Sequence, residues 1–246
     1  MKDQYFGDVN DYRKYGLLRT LSSAAGLRMG VWWMLTPPED RRDGEFRGYL
    51  DQPARWRDYD PELYDRLIRL KHEGIERGVR RALEWELIPG ALFDEQPLVD
   101  DPIERRAGVD STFSTLSSCP LLFFDPDNGI EVRSVRFGQK RSSKYVYWHE
   151  LAAAYARGHS LVIYQHFRRV NRTTFIGSQA NDLRSRLGAV ELIAFRTAHV
   201  RFWVVPQPSH AALLKGASER VGASWTGQIE PSSIARQQAP NLEPAG

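Results

Sequence analysis

The chain has one cysteine, Cys119, so no disulfide can form within it. Cys119 precedes Pro120 and an apolar run, which favours a buried small hydrophobic residue over a nucleophile, because apolar surroundings raise a thiol pKa. The first residues carry no apolar signal segment, and no uncharged run approaches the roughly 20 apolar residues of a membrane span. We therefore expect a cytoplasmic protein without a membrane partner.

What the chain does contain is enough apolar surface for one sizeable core. It has 246 residues, of which 41% are hydrophobic and 11% aromatic, and domains of this length usually share a single core. We predict one domain over residues 1–227 with a helical insertion at about 55–110. The segment 228–246 is rich in Pro, Ser, Gln and Ala, a composition typical of a disordered tail.

The positive charge is concentrated in one segment. The net charge is +3, yet residues 132–180 hold nine basic side chains against the single acid Glu150. A solvated basic face would explain this, but the segment begins just after a carboxylate-rich turn, which favours nucleic acid as the partner. The basic residues predicted to contact phosphates are Lys140, Arg141, Lys144, Arg168, Arg169 and Arg172.

Apolar runs alternate with stretches of helical periodicity, which predicts an α/β protein with a largely parallel sheet flanked by helices. The predicted strands are 29–35, 121–124, 161–164, 190–195 and 202–205. The predicted helices are 6–21, 61–71, 75–87, 148–157, 173–187 and 209–221, with a long loop at 39–61. Asp8 or Asn10 is the expected cap of the first helix, and Gly26 its end.

Polar groups follow three of the predicted strands, where the ligand crevice of an open α/β sheet lies. They are residues 36–39, residues 125–131 and the pair Gln165 and His166. Asp125-Pro126-Asp127-Asn128-Gly129 is either an ordinary Asx-rich turn or a site whose oxygens accept hydrogen bonds from an exocyclic amine. Alternatively, Asp125, Asp127 and Glu131 hold Mg²⁺ or Mn²⁺. His166 is either a structural histidine or a general base or phosphate contact.

Two motifs resemble those of the large-subunit ribosomal RNA adenine methyltransferases. Residues 7–15 (GDVNDYRKY) keep the Gly, Asp and Lys of the family's G-N-x-x-D-V-x-K-H, and residues 125–128 (DPDN) stand where the family has D-P-P-Y. The first strand is followed by Thr36-Pro37-Pro38 without the family's glycine-rich loop. The resemblance extends over most of residues 5–221 and implies a Rossmann-like, methyltransferase-type fold.

The resemblance also implies a function: methylation of a nucleic-acid base amine with S-adenosylmethionine. Asp125 and Asn128, with Asp127 in the same turn, would orient the amine, and Lys14 would lie over the cofactor or substrate. The residues expected around the cofactor are Gly7, Asp11, Tyr12, Thr36 and Glu39. Two alternatives stay open: a metal-dependent nuclease or phosphoesterase with His166 as base, and a non-catalytic relative that binds nucleic acid.

Overall fold

Apolar runs of the sequence form the centre of a seven-stranded sheet in the computed structural model, which describes residues 2–37, 46–72, 74–167, 170–232 and 234. The strand order is β2-β1-β3-β4-β6-β5-β7. The first four strands in this order are parallel, β6 is antiparallel to both of its neighbours, and β7 is antiparallel to β5. The strands are β1 Met29–Trp32, β2 Leu92–Asp94, β3 Leu121–Phe124, β4 Ser160–His166, β5 Ile193–Arg196, β6 Val200–Val205 and β7 Glu230–Pro231.

Helices cover both faces of the sheet, and the predicted Rossmann-like α/β fold is confirmed. They are α1 Val9–Ala25, α2 Pro53–Trp56, α3 Pro61–Leu67, α4 Arg80–Glu84, α5 Pro102–Thr115, α6 Trp148–Ala156, α7 Arg172–Leu187 and α8 Ala211–Ser224. One buried core joins the sheet to α1, α3 and α8, and a second joins it to α5, α6 and α7. No helix in the described ranges combines the length and apolar character needed to cross a bilayer.

The sheet reverses its strand order between β1 and β3. These strands are neighbours although β2 lies between them in the sequence, and β2 and β4 lie on opposite outer sides of the pair. The register pairs Trp32 with Phe124, and the amide of Asp125 donates to the carbonyl of Trp32 at 3.1 Å. Loops that leave such a point in opposite directions open the crevice in which doubly wound folds bind ligands.

The chain between β1 and β2 differs from its prediction. The predicted loop at 39–61 contains the 3₁₀ turns Gly48–Asp51 and Arg57–Tyr59 as well as α2, and the predicted helix at 75–87 shrinks to α4. The amide of Val79 donates to Asp3 Oδ1 at 2.8 Å, and Arg77 donates to the carbonyls of Gln4 and Phe6. The residues before α4 are therefore tied to the N-terminal segment instead of forming a helix, and Glu86, with φ +46°, ends the helical turns.

The prediction of a loose tail is wrong for its first residues. Ile229 is fully buried, and Arg13 donates to Gln228 Oε1 at 2.7 Å. Glu230–Pro231 forms β7 at the edge of the sheet. These residues are ordered because Ile229 completes the core beside α1 and α8. Residues 235–246 lie outside the described residues.

Candidate functional site

Three ionisable side chains meet at the switch point of the sheet, where the strand order reverses between β1 and β3. Together we call them the Lys14 centre: Asp11, Lys14 and Asp125. Lys14 Nζ lies 2.8 Å from both Asp11 Oδ1 and Asp125 Oδ2, and each residue is at most 3% exposed. The start of α1 positions the first two, since Asp8 caps the helix by accepting from the amides of Asn10 and Asp11. Asp11 and Lys14 are three positions apart and so share a helix face.

Aromatic rings surround the ammonium group of Lys14. Nζ lies 5.2 Å from the ring centroid of Trp33, 5.6 Å from that of Tyr15 and 5.7 Å from that of Tyr164, distances at which cation–π attraction is significant. Burial acts to lower the pKa of Lys14, but Asp11 and Asp125 outweigh it and hold this pKa above its ordinary value. Lys14 is therefore protonated, and its charge is balanced inside the protein.

Lys14, which was predicted to lie over a cofactor or substrate, is buried against Asp125. Tyr12 is also buried: its hydroxyl donates to the carbonyl of Trp56 at 2.7 Å and its ring stacks on Tyr49 at 5.1 Å. Gly7 donates its amide to Asp11 Oδ2 at 3.1 Å. The aromatic density on α1 serves the core, since this helix is covered by α3 and α8.

The residues predicted to bind S-adenosylmethionine do not fit that cofactor. Gly7, Asp11 and Tyr12 are committed to the contacts just described. Thr36 is 7% exposed and donates its hydroxyl to Asp127 Oδ2 at 2.9 Å. Glu39 lies outside the described residues. The side chains of Asp11, Tyr12 and Thr36 are therefore all engaged in contacts within the protein.

The backbone of the Asp125–Gly129 turn is fixed from two sides. The amide of Asn128 donates to the carbonyl of Lys144 at 2.8 Å, and the carbonyl of Gly129 accepts from Val146 at 3.1 Å. Gln165 Oε1 accepts from the amide of Ile130 at 2.9 Å. Gly129 has φ +92°, and a Cβ at this position would lie 2.3 Å from Gln165 Nε2. The turn therefore requires glycine here.

The polar side chains of the turn differ in their access to solvent. Asp125 is buried in the Lys14 centre, and Asp127 Oδ2 lies 3.4 Å from Lys2 Nζ besides accepting from Thr36. Burial acts to raise the pKa of Asp127, but nearby positive charge, including Lys2, and the Thr36 hydrogen bond hold this pKa below its ordinary value. Asn128 is exposed. The side-chain amide of Asn128 is thus the part of the turn that a ligand can reach directly.

Gln165 and His166, which end β4 beside the turn, have different roles. Gln165 is 1% exposed and also accepts from Gln179 Nε2 at 2.9 Å, so it is structural. The His166 side chain is open to solvent, and its ring meets that of Tyr164 edge-on at 5.0 Å. The protein atoms packed around His166 lower its pKa, although Asp125 and Asp127 act in the opposite direction. The lowered pKa favours the neutral form of His166, and its exposed ring is available for hydrogen bonding.

The alternative metal site is not formed. Glu131 Oε1 accepts from the amide of Trp148 at 3.4 Å, at the start of α6. Asp125 and Asp127 are held by Lys14 and Thr36. Across the part of the chain that is described, no group of three or more His, Cys, Asp or Glu side chains is arranged to hold a metal ion.

The basic segment beside the turn is anchored by residues that the sequence did not reveal. Asp100 accepts from the amides of Arg141 and Ser143 at 2.8 and 2.7 Å. Arg105 pairs with Glu150 through two bonds of 2.7 and 2.9 Å, and both side chains are at most 1% exposed. Arg105 also donates to the carbonyls of Ser142 and Tyr145. The sequence did hold a signal for the helix that carries Arg105, because Asp101-Pro102 is the cap and first-turn proline of α5.

Only some of the cations predicted to bind phosphates lie close to the turn in the structure. Lys140 and Arg141 are exposed, and neither forms an ion pair with any residue that the structure describes. Lys144 lies next to the turn through its carbonyl bond to Asn128. Arg172 is exposed at the start of α7, with its guanidinium 4.6 Å from the Phe167 ring centroid. Arg168 and Arg169 lie outside the described residues.

A comparison of the chain with protein-family models gives no match, and a comparison with curated proteins gives none either.

Proposed function

We propose that this protein binds nucleic acid at the carboxyl edge of its sheet, through the Asp125–Gly129 turn and the basic segment beside it. The observation that carries the proposal is a contrast in how charge is compensated. The charges of the Lys14 centre are paired and buried. The cations of the neighbouring loop, Lys140 and Arg141, are exposed and have no ion pair among the described residues.

Cations on a rigid backbone suit phosphate recognition because the loop loses little conformational entropy on binding. The backbone of the Lys140–Lys144 loop is held by Asp100 and Arg105. The same loop is tied to the turn by the bond from the Asn128 amide to the Lys144 carbonyl. Phosphate contacts position a strand, and polar groups read its bases. In this arrangement Lys140 and Arg141 contact the backbone, while Asn128 and His166 face the bases.

The test of this proposal is binding of labelled oligonucleotides, measured by fluorescence anisotropy at several salt concentrations. We expect the affinity to fall with salt, because bound phosphates release counterions. The double variant Lys140→Glu/Arg141→Glu should bind more weakly, and its slope of log affinity against log salt should be smaller by about 2. The control Lys215→Glu/Arg220→Glu makes the same charge change on exposed residues of α8. Absence of binding at low salt would refute the proposal.

Methylation of the bound nucleic acid is the second candidate function. It is favoured by the position of Asp125 and Asn128, which follow a buried strand at the switch point with Lys14 beneath them. Against it stands the poor fit of the predicted cofactor residues. Isothermal titration with S-adenosylmethionine decides the matter, because a folded protein that binds none at millimolar cofactor is not a methyltransferase of this kind.

A further inference from the structure

We infer that a groove between residues 130–137 and α7 holds unstacked bases of a single nucleic-acid strand. This inference rests on the proposed function and extends it, since it names the form of nucleic acid that the site takes. We call this feature the aromatic groove. Its volume is about 860 Å³, within the range of sites that hold small organic ligands. Its walls include Phe137, Trp148, Phe175, Arg133, Arg136 and Arg186.

Three aromatic rings from three separate segments line the aromatic groove. Phe137, Trp148 and Phe175 are each partly exposed, and the Arg186 guanidinium lies 5.2 Å from the Trp148 ring centroid. Phe137 is held by an edge-on contact with Tyr147 at 5.1 Å and by Arg105, whose guanidinium is 5.3 Å from its ring centroid. Aromatic rings fixed in this way are the usual stacking partners of unpaired bases.

The charge of the aromatic groove suits a phosphate backbone. Its two acids are already engaged: Asp182 pairs with Arg186 at 3.3 Å, and Glu131 accepts from the amide at the start of α6. Arg133 and Arg136 are exposed, and neither forms an ion pair with a described residue. Two uncompensated guanidinium groups therefore lie along the rim beside the aromatic rings, an arrangement typical of single-strand binding.

The aromatic groove adjoins the turn. Ile130 and Glu131 line it and directly follow Gly129. Gln179 also lines it, and bonds the same Gln165 side chain that holds the amide of Ile130. A nucleic-acid strand that places one base against Asn128 can therefore place its next bases in the groove. A base among these rings must leave its own stack and pair, which favours single strands over duplexes.

The test compares strands that differ only in their bases. Oligothymidylate, oligouridylate, a fully abasic strand of equal length and a duplex are titrated by fluorescence anisotropy. We expect the intact single strands to bind roughly tenfold more tightly than the abasic strand, the scale of one stacked base. Phe175→Ala should remove most of that difference, whereas Arg136→Gln should weaken intact and abasic strands alike.

Phe46→Ala is the matched control, because Phe46 is 72% exposed and does not line the groove. Circular dichroism and thermal melting establish that each variant is folded. Equal affinity for intact and abasic strands, or tighter binding of the duplex, would overturn the inference while leaving the proposed function standing. So would Phe175→Ala behaving like Phe46→Ala. Failure to bind any strand would instead refute the proposed function itself.

Discussion

Lys14 and Asp125 are 111 positions apart in the chain, yet Lys14 Nζ lies 2.8 Å from Asp125 Oδ2 with both side chains closed to solvent. This contact joins α1 to the end of β3. It also joins the two segments on which the sequence resemblance rests, residues 7–15 and 125–128. In this structure the contact between the two segments fixes the position of the turn.

Removal of the ammonium group should destabilise the protein strongly. Lys14→Met leaves Asp11 and Asp125 buried without their cation, and the loss of one partner of a buried ion pair costs about 3–5 kcal/mol. Urea denaturation measures the free energy of unfolding. Asp125→Asn should then cost less in the Lys14→Met background than in the wild type, because the two side chains are coupled.

Lys215→Met is the control for this prediction, since Lys215 is an exposed lysine of α8. We expect it to change the free energy of unfolding by less than about 0.5 kcal/mol. If Lys14→Met proves equally mild, the Lys14 centre does not organise the site.

Gly129→Ala should distort the turn. The position has φ +92°, and the added methyl group would lie 2.3 Å from Gln165 Nε2, so we expect a loss of about 1–3 kcal/mol. Gly108→Ala is the comparison, because this glycine is helical and a Cβ would meet nothing within 4 Å. That substitution should stabilise the protein by about 0.5–1 kcal/mol. Equal effects in thermal melting would contradict the geometry described for the turn.

Helix caps and apolar runs in the sequence predicted the helices and strands that depend on neighbouring residues alone. Asp8 caps α1 and Gly26, with φ +63°, ends it, as the sequence indicates. The continuous apolar runs mark β1, β3 and β4, because strands buried on both faces lack alternation. β2 was missed since it has only three residues, two of them half-buried, and its existence depends on pairing with β1. Such tertiary pairing leaves no periodic pattern to detect.

The positions of the candidate residues in the sheet were predictable from the sequence, but their contacts were not. The rule that ligands bind at strand ends located Asp125 and His166 correctly at one edge of the sheet. It could not show that Lys14 turns inward, because the burial of α1 depends on helices more than 40 positions away, as in the Tyr12 bond to Trp56. Arg105 was overlooked for the same reason: its partner Glu150 is 45 positions distant.

The carboxylate of Asp100 should make the free energy of unfolding depend on pH in the acid range. Burial acts to raise its pKa, but hydrogen bonds from the amides of Ser143 and Arg141 outweigh it and hold this pKa below the ordinary 3.8. A lowered pKa means that the stabilisation is complete above pH 3.8 and is lost as the pH falls below it. Asp100→Asn should therefore be about 1–2 kcal/mol less stable at pH 7, with a gap that shrinks near pH 3.

Urea denaturation at both pH values tests the Asp100 prediction. Asp58→Asn is the control, because Asp58 is exposed and its side chain forms no ion pair with the described residues. We expect that control to stay within about 0.5 kcal/mol of the wild type at both pH values. A gap for Asp100→Asn that is constant with pH would mean that its carboxylate charge does not anchor the loop.

Arg105 should control both stability and nucleic-acid binding. Arg105→Met leaves Glu150 buried and unpaired, which costs about 3–5 kcal/mol, and it releases the carbonyls of Ser142 and Tyr145. The loop that carries Lys140 and Arg141 then loses an anchor, so we expect faster proteolysis there and weaker oligonucleotide binding. Arg157→Met removes an ion pair with Asp110 whose side chains are 46% and 73% exposed, and should cost at most about 1 kcal/mol. If Arg105→Met binds oligonucleotides as well as Arg157→Met does under conditions where both are folded, the rigidity of the loop is not what makes its cations effective.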